Sequence, residues 1–176
     1  MDTKTVMSDI PSTKAYLLSD TWVLWAHLPH VTDWSLSSYI KIMEIKELND
    51  ILSLYKSIPD KMIKNCMLFM MRKGINPTWE DPANCQGGCF SYKVSKSIAE
   101  CWRQLSYTIV GETTSNRPDL MSDINGITIS PKKSFCIVKI WLKSIKFQSA
   151  MDINAVDGIN SYGCIFKKHK PDYRSK

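Results

Sequence analysis

Apolar residues along the chain follow two different periods. Residues 39–45 alternate apolar and polar side chains, which is typical of a strand with one buried face. Residues 46–58 and 95–112 place apolar side chains three and four positions apart, which predicts amphipathic helices. By these patterns, and by the Gly, Pro and Ser residues between them, strands are predicted at 21–28, 39–45, 65–74, 88–94, 124–130, 134–143 and 162–168, and helices at 46–58, 95–112 and 149–157.

The order of these elements predicts the fold class. Residues 124–130 and 134–143 are joined by a short turn and indicate an antiparallel hairpin. Six or seven such strands with two or three helices between them predict an α+β domain, in which one antiparallel sheet carries its helices on one face. We expect residues 1–19 to form a flexible arm and residues 20–176 to form a single domain.

The composition excludes several classes of protein. The 176 residues are 44% hydrophobic and 23% charged, as in a soluble globular protein. Apolar runs stay well short of the roughly 18 residues that a membrane span needs, and the polar first residues predict no secretory signal. We therefore expect a cytoplasmic protein, with the nucleus as a second location, and reduced cysteines. The spacing of Cys85 and Cys89 is too loose for a zinc site, so neither a metal nor a cofactor is predicted.

Positive charge is concentrated at one end of the chain. The net charge is +6, and residues 131–176 contain ten Lys and Arg against three Asp, a balance of +7. A one-ended positive field favours a polyanionic partner, such as RNA or a nucleotide phosphate chain. The alternative is that these lysines serve only solubility.

Two of the six tryptophans stand in polar loops, where a core could hardly use them. Trp34 lies in the loop at 29–38, and Trp79 lies between two prolines, directly before Glu80 and Asp81. Of the four tryptophans in predicted strands and helices, three fit core positions, and Trp141 could be either a core residue or a ligand contact. The sequence thus places Trp79 on a proline-flanked turn beside two carboxylates.

Four segments resemble the eukaryotic translation initiation factor 4E family. They are "TWVLWAHL" with Trp34 a short loop later, "KGINPTWEDPANCQGG", "ECWRQLSYTIVGE" and "NGITISPKKSFCIVKIW". Together they cover roughly residues 20–142 in the family's order. The resemblance implies a strongly curved antiparallel sheet with helices on its convex face and the 7-methylguanosine cap of mRNA in its concave face. It also implies that the chain is not an enzyme, and the three histidines form no catalytic constellation with a Ser or Cys.

The resemblance implies roles for four residues in holding the methylated base. Trp34 and Trp79 would stack on the two faces of the cationic ring, where cation–π attraction contributes about 0.5–2 kcal/mol per face. Glu80 would accept N–H bonds from the guanine edge, and Trp141 would contact the methyl group. Asp81 is expected to anchor the loop instead.

The phosphate chain would meet lysines. Lys132 falls at the family's arginine position, and Lys133 or Lys139 could replace the family lysine, which is Ile137 here. The segment with Lys168, His169 and Lys170 would line the exit toward the second nucleotide. The arginines that usually flank the glycine pair are Gln86 and Cys89.

The convex face of the family binds scaffold and repressor proteins. That surface would lie near Tyr16, Leu52, Arg103 and Tyr107, although the family's His-Pro-Leu segment and helix tryptophan are missing.

We therefore expect a monomer that binds capped mRNA and supports translation initiation with a scaffold protein of the initiation factor 4G type. The alternative is a decoy or translational repressor that lacks the scaffold. A further alternative is a general RNA-binding fold, which would bind uncapped RNA as well as capped RNA. The lysine- and isoleucine-rich composition suits an AT-rich genome, such as that of a virus.

Overall fold

The computed structural model describes residues 15–171 of the chain. Its strands are β1 (Leu17–His27), β2 (Tyr39–Glu47), β3 (Met67–Arg72), β4 (Gly88–Val94), β5 (Ile124–Pro131), β6 (Cys136–Leu142) and β7 (Ile165–Lys168). Its helices are α1 (Leu48–Ser57), α2 (Asp60–Asn65), α3 (Ile98–Val110) and α4 (Pro118–Met121), with 3-10 turns at Leu36–Ser38 and Ala150–Asp152. All seven strands form one antiparallel sheet in the order β2-β1-β3-β5-β6-β4-β7.

The predicted fold class is confirmed, and every predicted strand is present. Pro59 ends α1 as expected, but Asp60 begins the further helix α2 directly after it. The helix predicted at 149–157 is reduced to one 3-10 turn. Of the predicted arm, residues 1–14 lie outside the described residues, and β1 begins at Leu17.

The larger core lies between the sheet and the helices. Alternate residues of β1, such as Trp22 and Leu24, point into it, and α3 contributes Trp102, Leu105 and Ile109, which are fully buried. This spacing on α3 is the helical period read from the sequence. Within residues 15–171, no helix is long and apolar enough to cross a membrane.

A second, smaller cluster lies on the other side of the sheet, which we call the helix-free face. Phe69, Met71 and Trp141 are buried there, and Tyr39 and Trp79 pack against them half-buried. Side chains directly opposite each other in an antiparallel pair share a face. The strand register therefore places further residues on the helix-free face, namely Lys93, Ser91 and Cys89 of β4, Lys139 of β6, Lys167 of β7 and Thr128 of β5.

Candidate functional site

A continuous series of aromatic rings crosses the helix-free face. Neighbouring ring centroids are 4.2–6.2 Å apart. The series runs through Trp34, His27, Tyr39, Phe69, Trp141, His169 and Trp79. The two predicted base-stacking tryptophans are thus the two ends of one aromatic surface.

Trp34 occupies one end of this surface, in the loop after β1. Its indole is parallel to the His27 ring with the centroids 4.2 Å apart, and 56% of the residue is exposed. The His27 ring bonds through Nε2 to the carbonyl oxygen of Asp33 at 2.8 Å. Hydrogen bonds from the backbone and side chain of Ser35 lower the pKa of the Asp33 carboxyl. The loop is thereby ordered while most of the indole faces solvent.

The loop that carries Trp79 is held from within by Asp81. Asp81 is only 8% exposed, and its carboxylate accepts the backbone N–H groups of Asn76 and Ala83, both at 2.9 Å. This geometry agrees with the expected anchoring role of Asp81. Two charge-assisted bonds across the turn fix the backbone on either side of Trp79.

A buried pair of asparagines completes the support of the loop. The fully buried Asn84 donates from Nδ2 to the carbonyl oxygens of Asn76 and Thr78, each at 2.9 Å. Asn125, at the start of β5, donates to Asn84 Oδ1 and to the carbonyl oxygen of Ala83. Neither asparagine was predicted from the sequence, although a polar residue within the apolar strand "INGITIS" was an available signal.

His169 connects this loop to the far edge of the sheet. Its Nδ1 lies 2.7 Å from the carbonyl oxygen of Asn84 and its backbone N–H donates to the carbonyl oxygen of Gly87. Because a carbonyl only accepts, Nδ1 carries the proton and Nε2 keeps the lone pair. The ring is nearly parallel to Trp79, with the centroids 5.8 Å apart, and lies 4.8 Å from Trp141. Burial, with a smaller effect from Lys139, lowers the pKa of His169.

The position of His169 corrects the sequence expectation. It was grouped with Lys168 and Lys170 as a contact to the second nucleotide, yet it is 6% exposed while the two lysines are exposed. The strand β7 ends at Lys168, and the backbone bond to Gly87 then directs the next side chain inward. The His169 ring is therefore buried against Trp79, whereas Lys168 and Lys170 stay exposed.

The charge of Glu80 acts on Tyr39, one of the rings of the aromatic series. Burial, followed by the charges of Glu80 and Asp33, raises the pKa of Tyr39 to about 12. The Tyr39 ring itself lies edge-on to both His27 and Phe69. The predicted edge-reading carboxylate and the loop of Trp34 therefore both approach the same tyrosine, which was not singled out from the sequence.

Lys139, one of the predicted phosphate ligands, lies beside the aromatic surface. Its Nζ lies 5.5 Å from the centroid of the Trp79 ring. In the sheet Lys139 is opposite Ser91, and Lys167 is opposite Cys89. Burial raises the pKa of the Cys89 thiol, and the two lysines oppose that rise. The positive charge around Cys89 thus comes from the neighbouring strands β6 and β7.

The remaining predicted site residues lie at different depths. Trp141 is 3% exposed and forms the floor beside His169. Lys132 and Lys133 are exposed in the turn between β5 and β6. Because β1 and β3 are antiparallel, the loops of Trp34 and Trp79 leave opposite ends of the sheet. The Trp79 loop reaches the shared surface by folding back over the helix-free face.

The helix side of the sheet carries the residues of the predicted partner surface. Tyr16, Leu52 and Tyr107 are exposed there. Arg103 forms an ion pair with Asp60 of α2. This surface thus presents apolar and aromatic side chains around a paired arginine. On either side of the sheet, no group of three or more His, Cys, Asp or Glu within residues 15–171 could hold a metal ion.

Comparison with known proteins agrees with the sequence resemblance. The family described as "Eukaryotic initiation factor 4E" matches residues 17–170. The initiation factor 4E homologue of Acanthamoeba polyphaga mimivirus is 31% identical over 147 residues, which cover 71% of this chain and 54% of that protein. Initiation factor 4E of Candida glabrata is 27% identical over 161 residues, which cover 86% of this chain and 75% of that protein.

Solved structures show the same fold. A complex of C. elegans initiation factor 4E-3 with the 4E-binding protein Mextli and a cap analogue has a TM-score of 0.67 at 23% identity, covering 75% of this chain and 76% of that chain. A schistosome initiation factor 4E bound to m7GpppG and a 4E-binding protein has a TM-score of 0.67 at 21% identity, covering 75% and 74%. A family of initiation factors also confirms the prediction that the chain is not an enzyme. The chain belongs to the eukaryotic initiation factor 4E family.

Proposed function

We propose that this protein binds the 7-methylguanosine 5′ cap of mRNA on its helix-free face and thereby supports translation initiation. The observation that carries the proposal is the aromatic surface with Trp34 and Trp79 at its ends. Solved relatives of the same fold are complexes with cap analogues. Family membership and these complexes support a cap ligand.

The tryptophans would hold the base from both sides. Methylation makes the guanine ring cationic, and a cation gains attraction from each indole face. In the structure Lys139 already places an ammonium near Trp79, at a distance typical of cation–π contacts. The indole thus accepts a positive group on the helix-free face. Closure of the Trp34 loop toward the base would complete the sandwich.

The polar parts of the cap would meet residues on the same face. Glu80 would accept the N–H groups of the guanine edge, and the positive ring would strengthen those bonds. Lys139 would neutralise phosphate beside Trp141, and Lys132 and Lys133 would follow at the β5–β6 turn. Lysine contacts phosphate as a point charge, so the phosphate geometry would be less strictly fixed than with arginine.

A partner surface on the helix side supports a role as an activator. Tyr16, Leu52 and Tyr107 are exposed there, and solved relatives carry 4E-binding proteins. We propose that a helix from a scaffold protein packs on these side chains and that the factor acts in the cytoplasm as a monomer. Binding of capped RNA without any scaffold protein would favour the decoy alternative.

Tryptophan fluorescence tests the proposal. Methylated and unmethylated guanosine triphosphate are titrated into the wild type and into Trp79→Ala and Glu80→Gln. We expect quenching by the methylated nucleotide, much weaker binding of the unmethylated one, and loss of affinity in both variants. Glu100→Gln, at an exposed position on α3, is the matched control and should bind as the wild type does. Equal affinity of the wild type for both nucleotides would refute cap selectivity.

A further inference from the structure

Lys93 and Phe135 form a cationic and aromatic pair at the end of the helix-free face away from Trp141. The Nζ atom of Lys93 lies 4.7 Å from the centroid of the Phe135 ring. In the sheet Lys93 is opposite Ile137, at the other end of the β4–β6 pair from Cys89 and Trp141. Neither Lys93 nor Phe135 belongs to the aromatic series that would bind the base.

Among the residues that the structure describes, the lysines along this face form no salt bridge. Within residues 15–171, Lys93 and Lys139 have no salt bridge, and the same holds for Lys132 and Lys133. By contrast, the lysines near Glu44 all pair with that carboxylate. A track of lysines without salt bridges therefore leads from Trp79 to the β5–β6 turn.

The track extends past the aromatic surface along β6. From Trp141 to Cys136, β6 covers about 17 Å at about 3.3 Å per residue, and Phe135 lies beyond its end. A positive groove with an aromatic side chain is the arrangement that binds single-stranded nucleic acid. The backbone phosphates meet the cations, and an unstacked base lies on the ring. Phe135 is half-buried, so its ring is held while part of it stays accessible.

We propose that Lys93 and Phe135 form a subsite for the RNA chain that follows the cap. A nucleotide downstream of the triphosphate stacks its base on Phe135, and Lys93 neutralises the adjoining phosphate. The RNA leaves along β6 and β4 toward the turn at 132–135, and not over Lys168 and Lys170 as the sequence suggested. This inference rests on the proposed cap-binding function.

Two ligands test the inference. Dissociation constants are measured for 7-methylguanosine triphosphate and for a capped five-nucleotide RNA, and their ratio gives the affinity gained from the RNA chain. We expect Phe135→Ala to reduce this gain about tenfold, as for loss of one stacked base. Lys93→Gln should lower the slope of log affinity against log salt by about 0.7, as for one lost phosphate contact on a single strand. Neither variant should change the affinity for the free nucleotide.

Three further variants serve as controls for charge, folding and the route of the RNA. Lys61→Gln, on α2 at the opposite side of the sheet, removes one exposed positive charge and should keep the full gain. Phe135→Leu keeps an apolar side chain in the turn and should lose the gain without disturbing the fold. Lys168→Gln with Lys170→Gln removes the charges on the exit over β7 and should also keep the gain.

The outcomes are distinguishable. If the free methylated nucleotide does not bind the wild type, the proposed function fails and this inference falls with it. If the nucleotide binds but Lys93→Gln and both Phe135 variants keep the full gain, only the subsite is refuted. The subsite is also refuted if the gain is lost in the Lys168 and Lys170 double variant instead.

Discussion

Replacing His169 should separate the support of Trp79 from the stability of the domain. The buried ring lies against Trp79 and Trp141 and donates from Nδ1 to the carbonyl oxygen of Asn84. His169→Ala removes both the ring contacts and the hydrogen bond. His169→Phe keeps an aromatic ring in the same space and removes the hydrogen bond alone.

The expected losses of stability follow from these contacts. Removing a buried ring costs about 3 kcal/mol, at the low end for aromatic-to-alanine changes, and the hydrogen bond contributes about 1 kcal/mol. The carbonyl of Asn84 still accepts the N–H of Gly87 in both variants, so no buried acceptor is left unpaired. We expect losses of about 4 kcal/mol for His169→Ala and about 1 kcal/mol for His169→Phe. The corresponding falls in Tm are about 8–16 °C and about 2–4 °C.

Cap affinity should follow the ring and not the hydrogen bond. One indole face contributes about 0.5–2 kcal/mol to binding of a cation. An unsupported Trp79 should therefore weaken binding of 7-methylguanosine triphosphate about tenfold in His169→Ala. His169→Phe should bind within about twofold of the wild type, because the ring against Trp79 is kept.

The assay is a fluorescence titration well below the Tm of each variant, with thermal unfolding followed in parallel. Weak binding by His169→Ala and near-normal binding by His169→Phe would establish a positioning role. If His169→Ala is destabilised as expected but binds the nucleotide as tightly as the wild type, the ring does not position Trp79. That result would refute the reasoning.

Three further predictions concern pH, backbone space and the partner surface. Folding lowers the pKa of His169 below its usual 6.5, so the unfolded chain binds the proton more readily, and the free energy of unfolding falls as the pH drops below about 6.5. Urea unfolding from pH 7.5 to 5 should show a shallower fall in His169→Phe than in the wild type. An equal dependence on pH in the two proteins would contradict the assignment of this effect to His169. Gly87→Ala should abolish folding, since a Cβ there would lie 1.8 Å from the carbonyl oxygen of Leu142. Gly74→Ala is strained by its φ of +88° but has open space around it, so it should cost only about 1 kcal/mol of stability. Circular dichroism checks both variants, and a folded Gly87→Ala would contradict the close packing of Gly87 against Leu142. Leu52→Asp should weaken binding of a scaffold helix on the helix side while leaving cap affinity unchanged, which a pull-down on cap resin would measure; undiminished scaffold binding would place the partner elsewhere.

The elements that follow local rules could be predicted from the sequence. The alternation in "YIKIMEI" and the helical spacing around Trp102 each depend on a few neighbouring residues, and both elements are present as predicted. Trp34 and Trp79 could be singled out because both lie in polar loops, outside the apolar periodic segments. Local composition is sufficient for such assignments.

The interior of the site depends on contacts that are distant in sequence. The bond from His169 to Asn84 joins residues 85 positions apart, and the bond from Asn125 to Asn84 joins residues 41 apart. No periodicity encodes such pairs, so His169 looked like part of a surface lysine run. The helix α2 was missed for a local reason, because Pro59 ends one helix and also starts the next.

Cys89 stands at a position where the resemblance expects an arginine. It is 2% exposed and lies between Trp141 and Lys167 in the sheet, with Lys139 also close. The neighbouring lysines therefore already supply positive charge at this place. Restoring the arginine would force a longer side chain into a packed position and add a third cation beside two others.

Cys89→Arg should therefore lose about 3 kcal/mol of stability or more, from overpacking and from an unpaired buried charge. Affinity for 7-methylguanosine triphosphate should not increase, because the added cation gains phosphate contact only by displacing Lys139 or Lys167. Gln86→Arg, at the exposed second position where the resemblance expects an arginine, is the matched control and should be near neutral in stability. A Cys89→Arg variant that is as stable as the wild type and binds the nucleotide more tightly would show that the lysines do not replace the arginine. Lysines on β6 and β7 can take over a charge lost on β4 because antiparallel pairing brings their side chains to the same face.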